Sequence, residues 1–158
     1  MRAIIIYYSY SGNTKKTAQV LSEYLGQQYE VQMLDIQALD ESDSFLTQAR
    51  RALFRKRAKI NPVEFDLTGY DLICIGTPVW AFAPVPAINT YLDNCLGLEG
   101  KSAALFVTYG SGAGVNRCFN YIQEVLSGKG VREFKQFRIQ QFKANDKDFI
   151  NSAIKQAF

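Results

Sequence analysis

The sequence predicts a three-layer α/β fold built on a doubly wound, five-stranded parallel sheet in the strand order 2-1-3-4-5. Five strand-like segments alternate with five segments of helical period along the 158 residues, and such alternation requires crossovers that place helices on both faces of a parallel sheet. Three of the strand-like segments are almost wholly apolar, as expected for strands buried on both faces. The other two mix polar and apolar residues and are expected at the sheet edges.

The apolar strands are the first, third and fourth, at Ala3 to Tyr8, Leu72 to Ile75 and Ala103 to Val107. The mixed strands are the second and fifth, near Glu30 to Ile36 and Glu133 to Ile139. Placing the apolar strands inside gives the order 2-1-3-4-5, in which the winding direction reverses between strands one and three. That reversal opens a crevice at the carboxyl ends of these two strands, where ligands of such sheets bind.

Apolar residues recur at helical spacing between the strands. In chain order the five helical segments carry Ala18, Leu21, Tyr24 and Leu25; Phe45, Leu46, Ala49 and Leu53; Val85, Ile88 and Leu92; Phe119, Ile122 and Leu126; and Phe149, Ile150, Ala153 and Ile154. No internal repeat or interdomain linker interrupts the pattern. We therefore expect residues 1–158 to form a single domain.

Composition excludes several classes of site. The chain contains no histidine, which removes Ser-His-Asp and Cys-His nucleophiles and histidine-ligated metals. The cysteines Cys74, Cys95 and Cys118 are far apart and form no C-x-x-C pair. We expect them to be buried small hydrophobes and expect neither a disulfide framework nor a metal site. Any chemistry must then come from other groups, for example from a cofactor.

The same features bear on location and partners. Unpaired cysteines favour a reducing, cytoplasmic setting. The apolar run after Met1 and Arg2 is too short for a signal sequence, and no stretch approaches the length of a membrane span, so no membrane partner is expected. A net charge of +3 is too small by itself to imply nucleic-acid binding.

Hydroxyl side chains and backbone amides are concentrated after the first strand. This loop reads Ser9, Tyr10, Ser11, Gly12, Asn13 and Thr14. At a helix N-terminus, free N–H groups and the macrodipole supply the positive potential that a phosphate needs. A simple helix cap formed by Ser11 or Asn13 is the alternative. The loop is not a Walker A motif, which requires Gly-x-x-x-x-Gly-Lys.

The loop after the third strand combines prolines with aromatic residues. It runs from Gly76 to Pro84 and holds Trp80, the only tryptophan of the chain. A large π-face beside a phosphate loop suits a planar ring, from which it would exclude water. The alternative is that Trp80 only closes the top of the core.

Glycines dominate the loop after the fourth strand, which runs from Thr108 to Gly114. They let a backbone approach a ligand closely. The pattern is not the dinucleotide motif Gly-x-Gly-x-x-Gly, because Val115 takes the place of its third glycine. A flexible strand-to-helix turn is the alternative. Because each of the three loops follows an interior strand, all three must lie side by side at one sheet edge.

The motif Ser-x-Ser-Gly-Asn-Thr after an apolar strand resembles the phosphate loop of the flavodoxin family, and Gly-Thr-Pro-x-Trp resembles the second loop of that family. The resemblance covers the whole chain in element order and implies a non-covalently bound FMN. It assigns the phosphate to Ser9, Ser11, Gly12, Asn13, Thr14 and the backbone N–H of Tyr10. It assigns the isoalloxazine ring to Thr77, Pro78, Val79, Trp80 and Phe82. The third loop is expected to meet the pyrimidine edge of the ring through Thr108, Tyr109, Gly110, Gly112 and Gly114.

The sequence departs from the family in two places. A glycine that flavodoxins often carry beside the flavin is missing from the stretch Val79 to Phe82. A residue with a Cβ adopts positive φ less readily, so we predict weaker one-electron behaviour than in a flavodoxin. A basic segment is the second departure, with Arg50, Arg51, Arg55, Lys56, Arg57 and Lys59. It is a solvated face, or it docks an acidic redox partner protein, attracts NAD(P)H or makes loose contact with nucleic acid.

Several functions are compatible with these observations. The leading prediction is electron transfer through FMN, and the alternative is an NAD(P)H-dependent quinone or flavin reductase that uses FMN. A cofactor-free interaction module is a third possibility, although such a module has no need of the hydroxyls in the first loop. A phosphorelay receiver shares the topology but needs an aspartate at the end of strand three, where Gly76 and Thr77 stand.

Overall fold

The computed structural model describes residues 1–40, 44, 46, 47, 49, 50, 54 and 56–158. Within these residues, the strands are β1 (Arg2–Tyr7), β2 (Glu30–Asp35), β3 (Leu72–Trp80), β4 (Ala83–Pro84), β5 (Ser102–Tyr109) and β6 (Glu133–Gln140). The α-helices are α1 (Asn13–Leu25), α2 (Pro86–Asn94), α3 (Val115–Gly128) and α4 (Lys147–Ala157), and a 3₁₀ helix (Gln141–Lys143) follows β6.

The sheet order is β2-β1-β3-β5-β6, with all neighbours parallel. This confirms the predicted order 2-1-3-4-5, to which the structure adds the short strand β4, antiparallel to the end of β3. In register, Ile5 of β1 lies between Met33 of β2 and Cys74 of β3. The reversal of winding between β1 and β3 places the crevice where the apolar pattern predicts it.

Alternation of side chains along the interior strands divides the core into two layers. On one face of the sheet, Ile4 and Ile75 pack in a cluster with residues of α2 and α3. On the other face, Ile5 and Cys74 pack with residues of α1 and α4. The helices therefore cover both faces, as a doubly wound sheet requires.

The predicted helical segments coincide with α1 to α4, except for the segment between the second and third strands. Phe45 and Leu53 of that segment lie outside the described residues, and its described members Leu46 and Ala49 are helical. Arg51 and Arg55 of the basic segment also lie outside the described residues.

The second loop differs from the prediction, because most of it is strand. β3 continues past Ile75 to Trp80, and Pro78 pairs with Thr108 at the end of the β3–β5 ladder. Proline is excluded from strand interiors because it lacks an N–H donor. Here β1 has already ended at Tyr7, opposite Gly76, so the missing donor of Pro78 faces no partner on that side.

None of the helices in the described part of the chain combines the length and the apolar character that crossing a bilayer would need.

Candidate functional site

A cavity of about 420 Å³ lies at the carboxyl ends of the interior strands. Its lining residues come from all three loops that follow these strands and from the residue after β6: Tyr10, Ser11, Asn13, Thr14, Pro78, Val79, Trp80, Thr108, Tyr109, Gly110, Ser111 and Gln141. The structure thus brings the three loops together at one edge. The volume lies near the lower end of the range of about 300–1,000 Å³ that is usual for ligand pockets.

The N-cap position of α1 carries no side chain. Gly12 is the N-cap residue, with φ of 90°, and the helix start has no capping hydrogen bond from a side chain at that position. The alternative interpretation, a cap formed by Ser11 or Asn13, is therefore wrong. Both side chains line the cavity instead. The first N–H groups of any helix lack intrahelical partners, so the start of α1 offers amides and hydroxyls to the cavity together.

Ser9 is not one of the residues that line this cavity. Its hydroxyl accepts a hydrogen bond from the backbone N–H of Lys15 at 3.1 Å, which satisfies one donor in the first turn of α1. Gly12 also stays outside the cavity lining, and nothing lies within 4 Å of the position that a Cβ on Gly12 would take. The loop is therefore open around Gly12.

The two lysines after the first loop are engaged with other groups. The Lys15 ammonium lies 3.8 Å from the carboxylate of Asp35, and the Lys16 ammonium donates to Asn145 Oδ1 at 2.6 Å. Burial raises the pKa of Tyr7 to about 12, and the neighbouring charge and hydrogen bond of Asp35 add to this shift. Because the ammonium groups of Lys15 and Lys16 already have partners, anion binding by the loop depends mainly on amides and hydroxyls.

Trp80 is a core residue that also lines the cavity. Its side chain is only 7% exposed and belongs to the core, yet it also lines the cavity. The rings of Tyr8 and Tyr10 meet it edge to face, with centroids 5.8 and 5.5 Å away. These perpendicular contacts with two tyrosine rings hold the indole in place. A fixed indole in the cavity wall is suited to contact a planar ring.

Thr77 does not line the cavity but stabilises the hairpin formed by β3 and β4. This fully buried residue donates its hydroxyl to the carbonyl of Pro78 at 2.9 Å and accepts from the N–H of Val85 at 3.2 Å. The hydroxyl thus ties β3 to the start of α2. Thr77 holds the neighbouring Pro78 and Val79, which do line the cavity.

The turn between β3 and β4 has an unusual backbone. Trp80 pairs with Ala83, so the turn consists of Ala81 and Phe82, with φ values of 45° and 68°. Two-residue hairpins favour such values but normally use glycine or asparagine for them. The missing glycine therefore does not keep this stretch out of the left-handed region. The premise of the predicted weak one-electron behaviour is wrong for this turn.

Phe82 contacts the start of α3 and does not line the cavity. A Cβ built on Gly114 would lie 2.2 Å from Phe82 Cδ1 and 2.6 Å from its Cα. Gly114, with φ of 80°, is the N-cap of α3. Gly112 also has a positive φ, and it lies against the ring of Tyr109. These two glycines shape the third loop, whereas Tyr109 and Gly110 face the cavity.

A buried hydrogen bond joins the first and third loops. The hydroxyls of Thr14 and Thr108 lie 2.8 Å apart although the residues are 94 positions apart in sequence. Both side chains are almost fully buried and line the cavity. The bond fixes the distance between the start of α1 and the end of β5.

Replacing Thr108 with valine is expected to lower the free energy of unfolding by about 1–3 kcal/mol, because the Thr14 hydroxyl is left buried without that partner. Urea unfolding measures the loss. Thr108→Ser keeps the hydroxyl and is the matched control, which we expect to retain most of the stability. A valine variant as stable as the native protein would contradict the assigned role of this bond.

Two lining residues were missed in the sequence. Ser111 belongs to the third loop but was not among its predicted contacts. Gln141 follows β6 directly, and β6 was interpreted only as an edge strand. Its position after a strand is the signal that could have identified it, because all parallel strands end at the same edge of the sheet.

The three cysteines are buried, as predicted. Burial raises the pKa of the Cys118 thiol to about 12 and that of Cys95 to about 11, and it raises the pKa of Cys74 still further. Thiols with such pKa values carry almost no thiolate near neutral pH. The cysteines therefore act as core residues.

Comparison with known proteins identifies the family. The flavodoxin family model matches residues 2–153. No curated protein sequence matches the chain. A candidate flavoprotein of Bacteroides uniformis is 20% identical, with 98% of this chain and 97% of that chain covered and a TM-score of 0.75. A flavoprotein of Lactobacillus acidophilus in complex with FMN is 20% identical, with coverage of 97% and 98% and a TM-score of 0.65.

The structure of an NADH:FMN oxidoreductase in its apo form is also similar. It is 20% identical, with 99% of this chain and 86% of that chain covered and a TM-score of 0.68. At this level of identity, these neighbours share the fold. The match of the family model over nearly the whole sequence goes further: this chain belongs to the flavodoxin family.

Proposed function

We propose that this protein transfers electrons through a non-covalently bound FMN. The observation that carries the proposal is that one cavity is lined both by the start of α1, where the N-cap residue Gly12 has no side chain, and by the indole of Trp80. The first feature suits a phosphate, and the second suits a planar aromatic ring. FMN contains both groups in one molecule.

The residues of the cavity fit FMN in three parts. Ser11, Asn13 and Thr14, with the N–H groups of the first loop, would hold the phosphate. Pro78, Val79 and Trp80 would hold the ring and keep water from it, while the loop from Thr108 to Gly110 would meet the pyrimidine edge. When bound, FMN supplies the redox chemistry, for which no histidine is required.

Cavity size favours an electron carrier. A volume of about 420 Å³ suits one cofactor, so a second ring would have to lie outside the cavity. The second candidate function is an NAD(P)H-dependent quinone or flavin reductase. It is favoured by the net charge of +3, which attracts phosphorylated nucleotides, and by the fold shared with an NADH:FMN oxidoreductase.

Stepwise anaerobic reduction of the protein with one equivalent of FMN tests the proposal. Bound FMN with a long-wavelength absorbance band that rises and then falls would support one-electron transfer. Direct bleaching without such a band would instead favour the reductase, and addition of NADH or NADPH would then identify the electron donor. A protein that leaves FMN free in solution would contradict both functions.

The basic segment is a candidate steering surface, but part of its charge is neutralised. The guanidinium of Arg57 donates to the carboxylate of Asp93 at 2.5 and 2.9 Å and lies 3.5 Å from the Tyr121 hydroxyl. The hydrogen bond that Arg57 donates to Asp93 raises the pKa of the Arg57 guanidinium above its ordinary value. Of the described basic residues in this segment, Arg50, Lys56 and Lys59 have no ion pair with a described carboxylate.

Reversal of charge at Lys56 and Lys59, both to Glu, is expected to slow the oxidation of the reduced holoprotein by ferricyanide about 2- to 5-fold at low salt, because an anion is steered less strongly. Stopped-flow absorbance measures the rate. The matched control is Arg132→Glu with Lys155→Glu, which changes the net charge equally on exposed positions elsewhere. Equal rates in the two variants would mean that the basic segment is only a solvated face.

A further inference from the structure

Two glutamines at the end of β6 lie against the third loop. Gln140 pairs with Tyr109 in the last register position of the β5–β6 ladder. Its side-chain N–H donates to the carbonyl of Gly110 at 3.3 Å. The edge strand thus holds the glycine loop in place through one amide.

Gln141 uses its side chain differently. It begins the 3₁₀ helix and lines the cavity beside Tyr109 and Gly110. Its Nε2 and Oε1 atoms lie 3.4 and 3.9 Å from the position that a Cβ on Gly110 would take. The amide therefore covers the space that the missing side chain of Gly110 leaves, at the cavity wall.

The hydrogen bonds of the described residues leave this amide available. The side-chain N–H of Gln140 donates to the carbonyl of Gly110, whereas the side chain of Gln141 makes no hydrogen bond with another described residue. A glutamine amide presents one acceptor and two donors in one plane. At the cavity wall it can therefore bond to a ring edge that carries both a carbonyl and an N–H group.

We propose that Gln141 is a contact residue for the carbonyl and imide edge of the flavin, and that it helps to select this ring. The inference rests on the proposed FMN function, because it needs the ring to extend from Trp80 toward Tyr109 and Gly110. Asn13, the other amide of the cavity, belongs to the phosphate loop. Gln141 lies instead beside Tyr109 and Gly110, in a segment that follows the edge strand.

The test combines a change in the protein with a change in the ligand. Gln141→Leu keeps the size of the side chain and removes its polar atoms, and 3-methyl-FMN replaces the imide N–H with a methyl group. We expect Gln141→Leu to weaken FMN binding about 10-fold, the size of one hydrogen bond to a neutral group. We expect methylation to weaken binding to the native protein by a similar factor and to the variant by much less. Fluorescence quenching of the flavin gives each Kd.

Gln136→Leu is the matched control, because Gln136 is an exposed glutamine of β6 that lies away from the cavity. It should bind FMN like the native protein. Gln141 is exposed, so its variant is expected to unfold at the same urea concentration as the native protein. If both variants bind FMN equally, or if methylation costs the same in native and variant proteins, Gln141 does not contact the ring edge and the FMN function stands. If the native protein itself fails to bind FMN, the proposed function and this inference fail together.

Discussion

Replacing Gly114 with alanine adds one methyl group and is expected to lower the free energy of unfolding by about 2–5 kcal/mol, one of the largest effects of such a change in this chain. The new Cβ would lie 2.6 Å from the Cα of Phe82 and 2.2 Å from its Cδ1. Rotation of the Phe82 side chain cannot relieve the backbone contact, and overpacking of this kind costs about 1–3 kcal/mol. The φ of 80° at Gly114 adds about 1–2 kcal/mol for a residue with a Cβ.

A second glycine separates these two costs. Gly100 has a φ of 72° and nothing within 4 Å of the position of a Cβ. Gly100→Ala should therefore show only the conformational cost of about 1–2 kcal/mol. Urea unfolding of both variants measures the difference. Equal losses would mean that the contact between Phe82 and Gly114 does not brace the hairpin.

Phe82→Gly provides the rescue experiment for Gly114→Ala. It removes the ring from the new methyl group and places glycine at a φ of 68°, where glycine is not strained. We expect the double variant to recover part of the lost stability, since only the contact with the Cα remains. The same hairpin carries Trp80 and Val79 into the cavity, so Gly114→Ala is also expected to weaken FMN binding, whereas Gly100→Ala is not.

The strand order could be predicted because it depends on local composition. Wholly apolar runs such as Ile4 to Ile6 need two covered faces, so their strands must be interior. The second loop could not be predicted in the same way. Pro78 argues against a strand by its missing donor, and the argument fails only because β1 ends before reaching it. The length of a neighbouring strand decides that outcome, and composition does not reveal it.

The phosphate loop could be recognised because its residues are consecutive. The bond between Thr14 and Thr108 and the approach of Gln141 to Gly110 join distant parts of the chain, and periodicity contains no signal for either. Intrinsic preference alone disfavours a positive φ at Ala81 and Phe82. Strand pairing on both sides of a two-residue turn overrides that preference, at a cost in strain that packing against Gly114 offsets.

FMN is expected to bind about 1,000-fold more tightly than riboflavin, which lacks the phosphate. The start of α1 offers amides and hydroxyls to the cavity, and hydrogen bonds to a charged acceptor contribute about 1.5–3 kcal/mol each. Two to three such bonds account for the difference, since about 4.1 kcal/mol corresponds to a factor of 1,000. Lys15 and Lys16 are engaged with Asp35 and Asn145, so the preference should depend only weakly on salt. Isothermal titration of the apoprotein with each ligand measures it.

Variants at the two ends of the cavity should separate the phosphate from the ring. Ser11→Ala removes one hydroxyl of the first loop, and we expect it to weaken FMN binding about 10-fold while leaving the Kd for riboflavin unchanged. Trp80→Leu removes the indole from the cavity wall. It should weaken the binding of FMN and of riboflavin by the same factor, about 5- to 100-fold. Because Trp80 also packs in the core, its variant must be shown to be folded by far-ultraviolet circular dichroism. If Ser11→Ala weakened the binding of FMN and of riboflavin equally, the start of α1 would not be the phosphate site. FMN would then have to bind in this cavity in the opposite orientation.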